Sequence, residues 1–294
     1  MGERDPFQRY LSRMEAVGFR PSSTLGQNFL LDPSLHRWIA ERAEATGADV
    51  VVEIGVGLGF LTRELAARAG RVVGVEIDDR LLAIARDELR DVGNVQWIAG
   101  DALGGPGRTL LPAITAALGT GVGAGGRRLV VANLPYAVSG PLLAELVAVD
   151  PPVDAAILLV QKELAQRVAA RAGSEDYGGL SVAVQARFSA KVLRDVPPQV
   201  FRPRPKVTSS LLQLTRRDDA LPELASMVAR REFLCFVRHL FRQRRKVLRT
   251  TLAAAAAAVA KVPPSRTESV LQGRAEQFSV DDIAGWWRDS RAST

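Results

Sequence analysis

The chain has 294 residues, 47% hydrophobic and 24% charged, which fits one large folded domain plus a smaller one and excludes disorder as the default state. No apolar run approaches the roughly 18 residues needed to span a bilayer, and Met1 to Arg20 mixes charges into its apolar positions instead of forming a signal-peptide core, so a cytoplasmic protein without a membrane partner is expected. The net charge of +7 suits a polyanionic partner, because clustered Lys and Arg gain free energy when phosphate counterions are released, although it also fits a merely solvated surface.

From Val50 to Leu214, short β-branched runs alternate with helical patterns, which predicts an α/β domain with a parallel sheet and crossover helices. The candidate strands are Val50 to Ile54, Val72 to Glu76, Val95 to Ile98, Leu129 to Ala132, Ala156 to Val160, Phe188 to Leu193 and Ser209 to Leu214. Between them, patterns such as Leu61, Leu65, Ala69 and Leu81, Ile84, Ala85, Leu89 put an apolar stripe against the sheet.

The first strand runs into Gly55-Val-Gly57-Leu-Gly59, where glycines let the backbone pass close to a ligand. The spacing is not that of a dinucleotide fold. Glu53 just before the loop repels a pyrophosphate but suits a cationic methionine moiety, which points to S-adenosylmethionine. Glu76 ends the second strand, where a carboxylate can accept ribose hydroxyls, and Asp101 ends the third, where it can accept from an adenine amino group. Each acid alone also fits a helix cap; a run of such strand ends favours a site.

The segment Gly119 to Gly126 reads as a flexible surface loop, an insertion without function, since no helix follows it. The fourth strand then ends in Asn133-Leu134-Pro135-Tyr136. The N6 amine of adenine is a poor nucleophile, so methyl transfer to it needs acceptors for the amino hydrogens. The Asn133 side chain and the Leu134 carbonyl can supply two, Pro135 leaves the Leu134 carbonyl outside a helix, and Tyr136 offers a flat face for an unstacked base. The same residues also suit an ordinary strand-to-helix turn.

After Leu214, Arg216 to Pro222 reads as a polar linker and everything beyond as helical, with a long helix from about Glu223 to Ala260 stopped by Pro263 and Pro264. Along it Arg238, Arg242, Arg245 and Arg249 line one stripe suited to phosphate contact, with a plain solvated face as the other reading. Leu234, Val237, Phe241, Leu248 and Leu252 form an adjacent apolar stripe expected to pack on the first domain. The lone Cys235 reads as a buried structural thiol, and His36 and His239 lack partners at ligand spacing, so no metal site is expected.

Taken in order, Leu25-Gly-Gln27-Asn28-Phe-Leu30, Glu53-Ile-Gly-Val-Gly-Leu-Gly59, Gly100-Asp101-Ala102, Asn133-Leu-Pro-Tyr136, Gln161-Lys-Glu163, Tyr177-Gly-Gly-Leu-Ser181, Pro197-Pro-Gln-Val-Phe201-Arg-Pro-Arg-Pro-Lys206-Val and Arg244-Arg-Lys246 resemble the ribosomal RNA small subunit methyltransferase A family over nearly the whole chain. The resemblance implies a Rossmann-like S-adenosylmethionine-dependent methyltransferase domain at 1–216 and a smaller all-α RNA-binding domain at 217–294. It implies dimethylation, by a monomer, of two adjacent adenines in the 3′-terminal hairpin loop of 16S rRNA, on a precursor of the 30S subunit. Gln27, Asn28 and Leu30 are implied cofactor contacts beside Glu53, Gly55, Gly57, Glu76, Asp101 and Asn133. Phe201 is the implied second face that sandwiches the base opposite Tyr136, with a plain core position as the other reading.

Ala137 and Gly140 stand where the family carries Asn and Thr, and Thr208 where it carries Asp. The rival expectations are a large-subunit rRNA adenine methyltransferase, which the second domain argues against, and a non-catalytic assembly factor, which the intact Glu53, Glu76, Asp101 and Asn133 argue against.

Overall fold

The computed structural model describes residues 6–20, 27–219 and 221–292; Leu25 and Gly26 of the first motif lie outside them. In chain order the elements are α1 (Pro6–Ala16), β1 (Phe29–Leu30), α2 (Pro33–Arg42), β2 (Val50–Ile54), α3 (Phe60–Ala66), β3 (Arg71–Glu76), α4 (Asp79–Glu88), β4 (Val95–Ala99), α5 (Pro112–Gly119), β5 (Arg128–Asn133) and α6 (Tyr136–Ala148). There follow β6 (Ala155–Gln161), α7 (Lys162–Ala169), α8 (Gly179–Gln185), β7 (Phe188–Val196), β8 (Phe201–Arg202), β9 (Ser209–Arg216), α9 (Met227–Leu240), α10 (Leu248–Ala258), α11 (Glu268–Gln272) and α12 (Val280–Ala292). None of the described helices is long and apolar enough to cross a membrane.

Seven strands form one sheet in the order β4-β3-β2-β5-β6-β9-β7, and β4, β3, β2, β5 and β6 pair in parallel. Every residue of β2 is buried, as expected of a central strand covered on both faces. The chain runs outward from β2 through β3 to β4 and returns beside β2 as β5. This reversal opens a crevice at the carboxyl ends of β2 and β5, where α/β sheets bind ligands. Local signals start the helices: the Asp32 carboxylate accepts from Ser34 and Leu35 N–H groups at 2.8 and 3.3 Å, with Pro33 opening α2.

Contacts divide the chain into two compact units. One comprises Met1–Leu142, Pro151–Lys162 and Leu193–Gln213, the other Leu143–Asp150, Glu163–Val192 and Leu214–Thr294. The units therefore do not divide at a single boundary near residue 216. Tyr177, Val182, Ala183 and Ala186 bury their side chains in one core with Phe233, Phe236, Leu248, Leu252 and Trp287, which ties α8 to the C-terminal helices.

Two expectations for the C-terminal region are corrected. The long helix is broken between Leu240 and Leu248. Arg242, Arg244, Arg245 and Lys246 crowd like charge at helical spacing, which disfavours continuation, and the Leu248 N–H bonds the Gly273 carbonyl at 2.7 Å. The apolar stripe of Leu234, Val237, Phe241, Leu248 and Leu252 packs, as expected, on residues before 217, sharing a core with Tyr177, Val182, Ala183 and Ala186. Cys235, expected to be buried, is half-buried. The Gly119 to Gly126 loop is anchored: the Gly123 N–H bonds the Ala48 carbonyl at 2.8 Å, and a Cβ on Gly126 would lie 2.1 Å from that oxygen.

Candidate active site

At the end of β2, Gly55, Gly57 and Gly59 have φ of 80°, 57° and 81°, a left-handed region that other residues enter at a cost. A Cβ on Gly59 would lie 2.4 Å from Leu89 Cδ1, so a side chain there would push the Leu89 methyl aside as well as strain the backbone. Gly59→Ala is therefore expected to lose about 1–2 kcal/mol, mainly backbone strain; an unfolding midpoint equal to wild type would show that the loop tolerates a side chain.

Glu53 is 1% exposed. Burial pushes its carboxyl up to about 8, and the Glu76 charge adds to this. Neither Glu53 Oε2 nor the buried Thr62 Oγ1 has a hydrogen-bond partner among the described residues, an arrangement that costs free energy until something bonds there.

Glu76, at the end of β3, accepts from the Gly57 N–H at 2.9 Å on Oε2 and from the Ile77 and Asp78 N–H groups at 3.0 and 3.1 Å on Oε1. Burial raises its pKa and these three donors oppose the shift. Its main-chain carbonyl accepts from the Gly100 N–H at 2.9 Å, which sets Asp101 at the neighbouring strand end. Asp101 Oδ1 accepts from the Leu103 N–H at 2.9 Å, so it caps its own turn while Oδ2 stays outside that bond.

On the other side of β2, a Cβ on Gly55 would stand 3.5 Å from the Asn133 carbonyl oxygen. The Asn133 Nδ2 donates to the Asn28 carbonyl at 3.0 Å. A carbonyl only accepts, so the amide nitrogen must face Asn28 and Oδ1 is turned away from it. α6 takes an early bond from Val138 N–H to the Pro135 carbonyl at 3.1 Å, which leaves the Leu134 carbonyl before the helix. Tyr136 opens α6, half-buried, its hydroxyl 3.0 Å from Ser209 Oγ.

The Gln27 to Leu30 segment lies across these loops. Phe29 is in contact range of Gly57, where a Cβ would meet its ring at 3.3 Å, and packs edge-on against Phe19 at 6.0 Å. Gln27 and Asn28 are half-buried. Leu30 pairs with Phe201 across β1 and β8, and both side chains sit in an apolar core with Leu35, Ile39 and Val51, Phe201 at 1% exposure. This corrects one expectation, since Phe201 offers no open face to a base; the Leu30 side chain anchors the segment in the core and leaves only its main chain to face a cofactor. Glu53, Gly55, Gly57, Glu76, Asp101, Asn133, Leu134 and Tyr136 are brought together with Gln27 and Asn28. Sequence reasoning missed Ser209, Thr62 and Phe29; only Phe29 lay in a motif that could have flagged it.

The arginines do not line one helical face. Arg238 lies in the last turn of α9, Arg242 and Arg245 are exposed in the turn after it, and Arg249 lies in the first turn of α10, paired with Glu268. Arg244 is tied to the Glu175 and Tyr177 carbonyls at 3.1 and 3.0 Å.

A family model for ribosomal RNA adenine dimethylases matches residues 18–268. The chain belongs to that family. Among the relatives of this dimethylase is a ribosomal RNA small subunit methyltransferase A of Moorella thermoacetica, 42% identical over 83% of each chain. Another of the same name, from Pelotomaculum thermopropionicum, is 43% identical over 82% of this chain and 80% of the relative. In fold it is similar to a dimethyladenosine transferase from Plasmodium falciparum, with a TM-score of 0.67 at 22% identity over 87% of this chain and 94% of that one. The 23S rRNA methyltransferase ErmE matches with a TM-score of 0.59 at 25% identity, over 90% and 99%.

The residues present fit S-adenosylmethionine. The Gly55-Val-Gly-Leu-Gly59 loop carries no basic side chain that would seek a phosphate, and the unbonded Glu53 Oε2 suits a cation. Glu76 spends three of its roughly four lone-pair positions on the backbone, leaving room for a hydroxyl.

Proposed function

We propose that this chain dimethylates the N6 amines of two adjacent adenines in the 3′-terminal hairpin loop of small-subunit rRNA, acting as a cytoplasmic monomer on a precursor of the 30S subunit. The bound cofactor supplies an electrophilic methyl group on its sulfonium. Glu53, the glycine loop, Glu76, Asp101, Gln27 and Asn28 hold it at the strand ends. Asn133 Oδ1 and the Leu134 carbonyl accept the amino hydrogens of the extruded adenine, which turns the nitrogen lone pair toward the methyl, and Tyr136 supports the ring. The observation that carries this reading is the Asn133 amide, held by Asn28 so that its oxygen is left to accept.

The small-subunit target is supported by relatives above 40% identity that bear that name, against 25% for ErmE. Titration with S-adenosylmethionine by calorimetry tests the catalytic reading against a non-catalytic RNA-binding factor: saturable binding is expected, and its absence would contradict catalysis.

The exposed Arg242 and Arg245, and with them Arg238 and Arg249, serve the RNA backbone. Changing Arg242 and Arg245 together to Ala is expected to weaken RNA binding and to flatten the slope of log affinity against log salt by about 1–2. An unchanged slope removes this surface from the account.

A further inference from the structure

We propose that Ser209 is a positioning residue for the acceptor base and acts through the Tyr136 hydroxyl; this rests on the reading of Tyr136 as the face on which the base lies. Ser209 is 1% exposed, so it cannot touch RNA itself. Its Oγ lies 3.0 Å from the Tyr136 hydroxyl. Stacking a base uses only the ring, and a phenylalanine would provide the same face. The hydroxyl therefore has a different task, which is to stop the ring from swinging about its side-chain torsions.

An anchor is useful only if it is itself fixed, and the start of β9 is held from two sides. The Lys162 N–H, at the start of α7, donates to the Thr208 carbonyl at 3.0 Å. The Ser210 hydroxyl donates to Asp195 Oδ1 at 2.7 Å, and Lys162 Nζ meets Asp195 Oδ2 at 2.6 Å. Ser209 thus sits between two strapped neighbours and carries their rigidity to Tyr136. The arrangement gives a purpose to the Gln161-Lys162-Glu163 run. At Thr208 it is the main-chain carbonyl that takes part, so this strap does not depend on the side chain there. Supporting groups of this kind matter because displacement of a reacting group by about 1 Å can cost about a hundredfold in rate.

The test uses the full chain, S-adenosylmethionine and small-subunit particles lacking the modification. Ser209→Ala and Tyr136→Phe are each expected to lower kcat about three- to tenfold, the value of one hydrogen bond. Cofactor affinity should stay at its wild-type value and the melting temperature fall by only the few degrees of one hydrogen bond, so that the enzyme is fully folded in the assay and the loss of kcat is not a loss of folded protein. A merely structural serine would instead leave kcat per folded molecule unchanged. The double variant should be no slower than either single one, because both remove the same bond. Multiplied losses in the double variant, or wild-type kcat in both singles, overturn the proposal. Should Ser209→Ala fail to fold, Tyr136→Phe reads the same bond from its other end. Tyr136→Leu separates the two layers: wild-type turnover there removes the base-stacking reading and this proposal with it, whereas a large loss there beside unaffected Ser209→Ala and Tyr136→Phe removes the positioning role alone.

Discussion

Replacement of Asn133 by Ala is expected to lower methyl transfer by about 10²–10³-fold or more, the usual cost of deleting a preorganised group that stabilises developing charge, while cofactor affinity changes little. The side chain lies at the carboxyl end of β5, beside the glycine loop, with its amide nitrogen committed to the Asn28 carbonyl. Its oxygen is therefore held in place before the base arrives, and no reorganisation is needed at the moment of transfer. Asn133→Asp makes a sharper test. Like Ala it loses the donor to Asn28, but it keeps an acceptor and sets a second oxygen against the Asn28 carbonyl, so the Gln27 to Leu30 segment would be pushed away and not merely released. Transfer is expected to fall in this variant as well, now together with cofactor affinity. Single-turnover rates and cofactor titrations on the two variants check this, and near-wild-type transfer by Asn133→Ala would falsify the assigned role.

The second large effect concerns Glu53 and pH. A carboxyl raised from 4.5 to about 8 by burial favours the protonated form in the folded protein. Its contribution to stability is complete below the ordinary value near 4.5 and is lost as pH rises from there through about 8. Glu53→Gln removes this dependence. The variant is therefore expected to match wild type at the acid end of that window and to exceed it, by on the order of a few kcal/mol, at the alkaline end.

The cofactor reverses the preference, because a cation beside Glu53 stabilises the carboxylate. Binding by the wild type should release a proton below about pH 8 and tighten as pH rises toward that value. In Glu53→Gln it should be weaker and lose this pH dependence. Calorimetry in buffers of different ionisation enthalpy reads the proton directly, and binding without proton release would remove Glu53 as the partner of the charge.

Much of this site could be read in the sequence because its parts fall at strand ends. A run such as Val50-Val-Val-Glu-Ile54 has the length and branching of a buried strand, and all seven long strands were legible on that basis. The pair β1 and β8 was not, since two residues carry no periodicity and their pairing joins Leu30 to Phe201 across most of the domain. That pairing also explains why Phe201 was misassigned: its position in a motif suggested a ligand face, but the partner strand that buries it leaves no local trace. The break between α9 and α10 was obscured by apolar spacing that continues across it. The Arg242 to Lys246 charges that decide against continuation are equally consistent with one solvated stripe. Ser209 was invisible for a simpler reason. A serine's role depends on which side chain its hydroxyl meets, and Tyr136 is distant in sequence.

The central claim is that this pocket presents an adenine N6 of small-subunit rRNA to a methyl donor. Its most direct test is incubation of the purified protein with S-adenosylmethionine and small-subunit particles from cells lacking the enzyme, followed by nuclease digestion and mass spectrometry of the rRNA. The account predicts two adjacent N6,N6-dimethyladenosines in the 3′-terminal hairpin fragment, absent when Asn133→Ala is used. Unmethylated adenines there, or methylation found only in large-subunit rRNA supplied alongside, would contradict it.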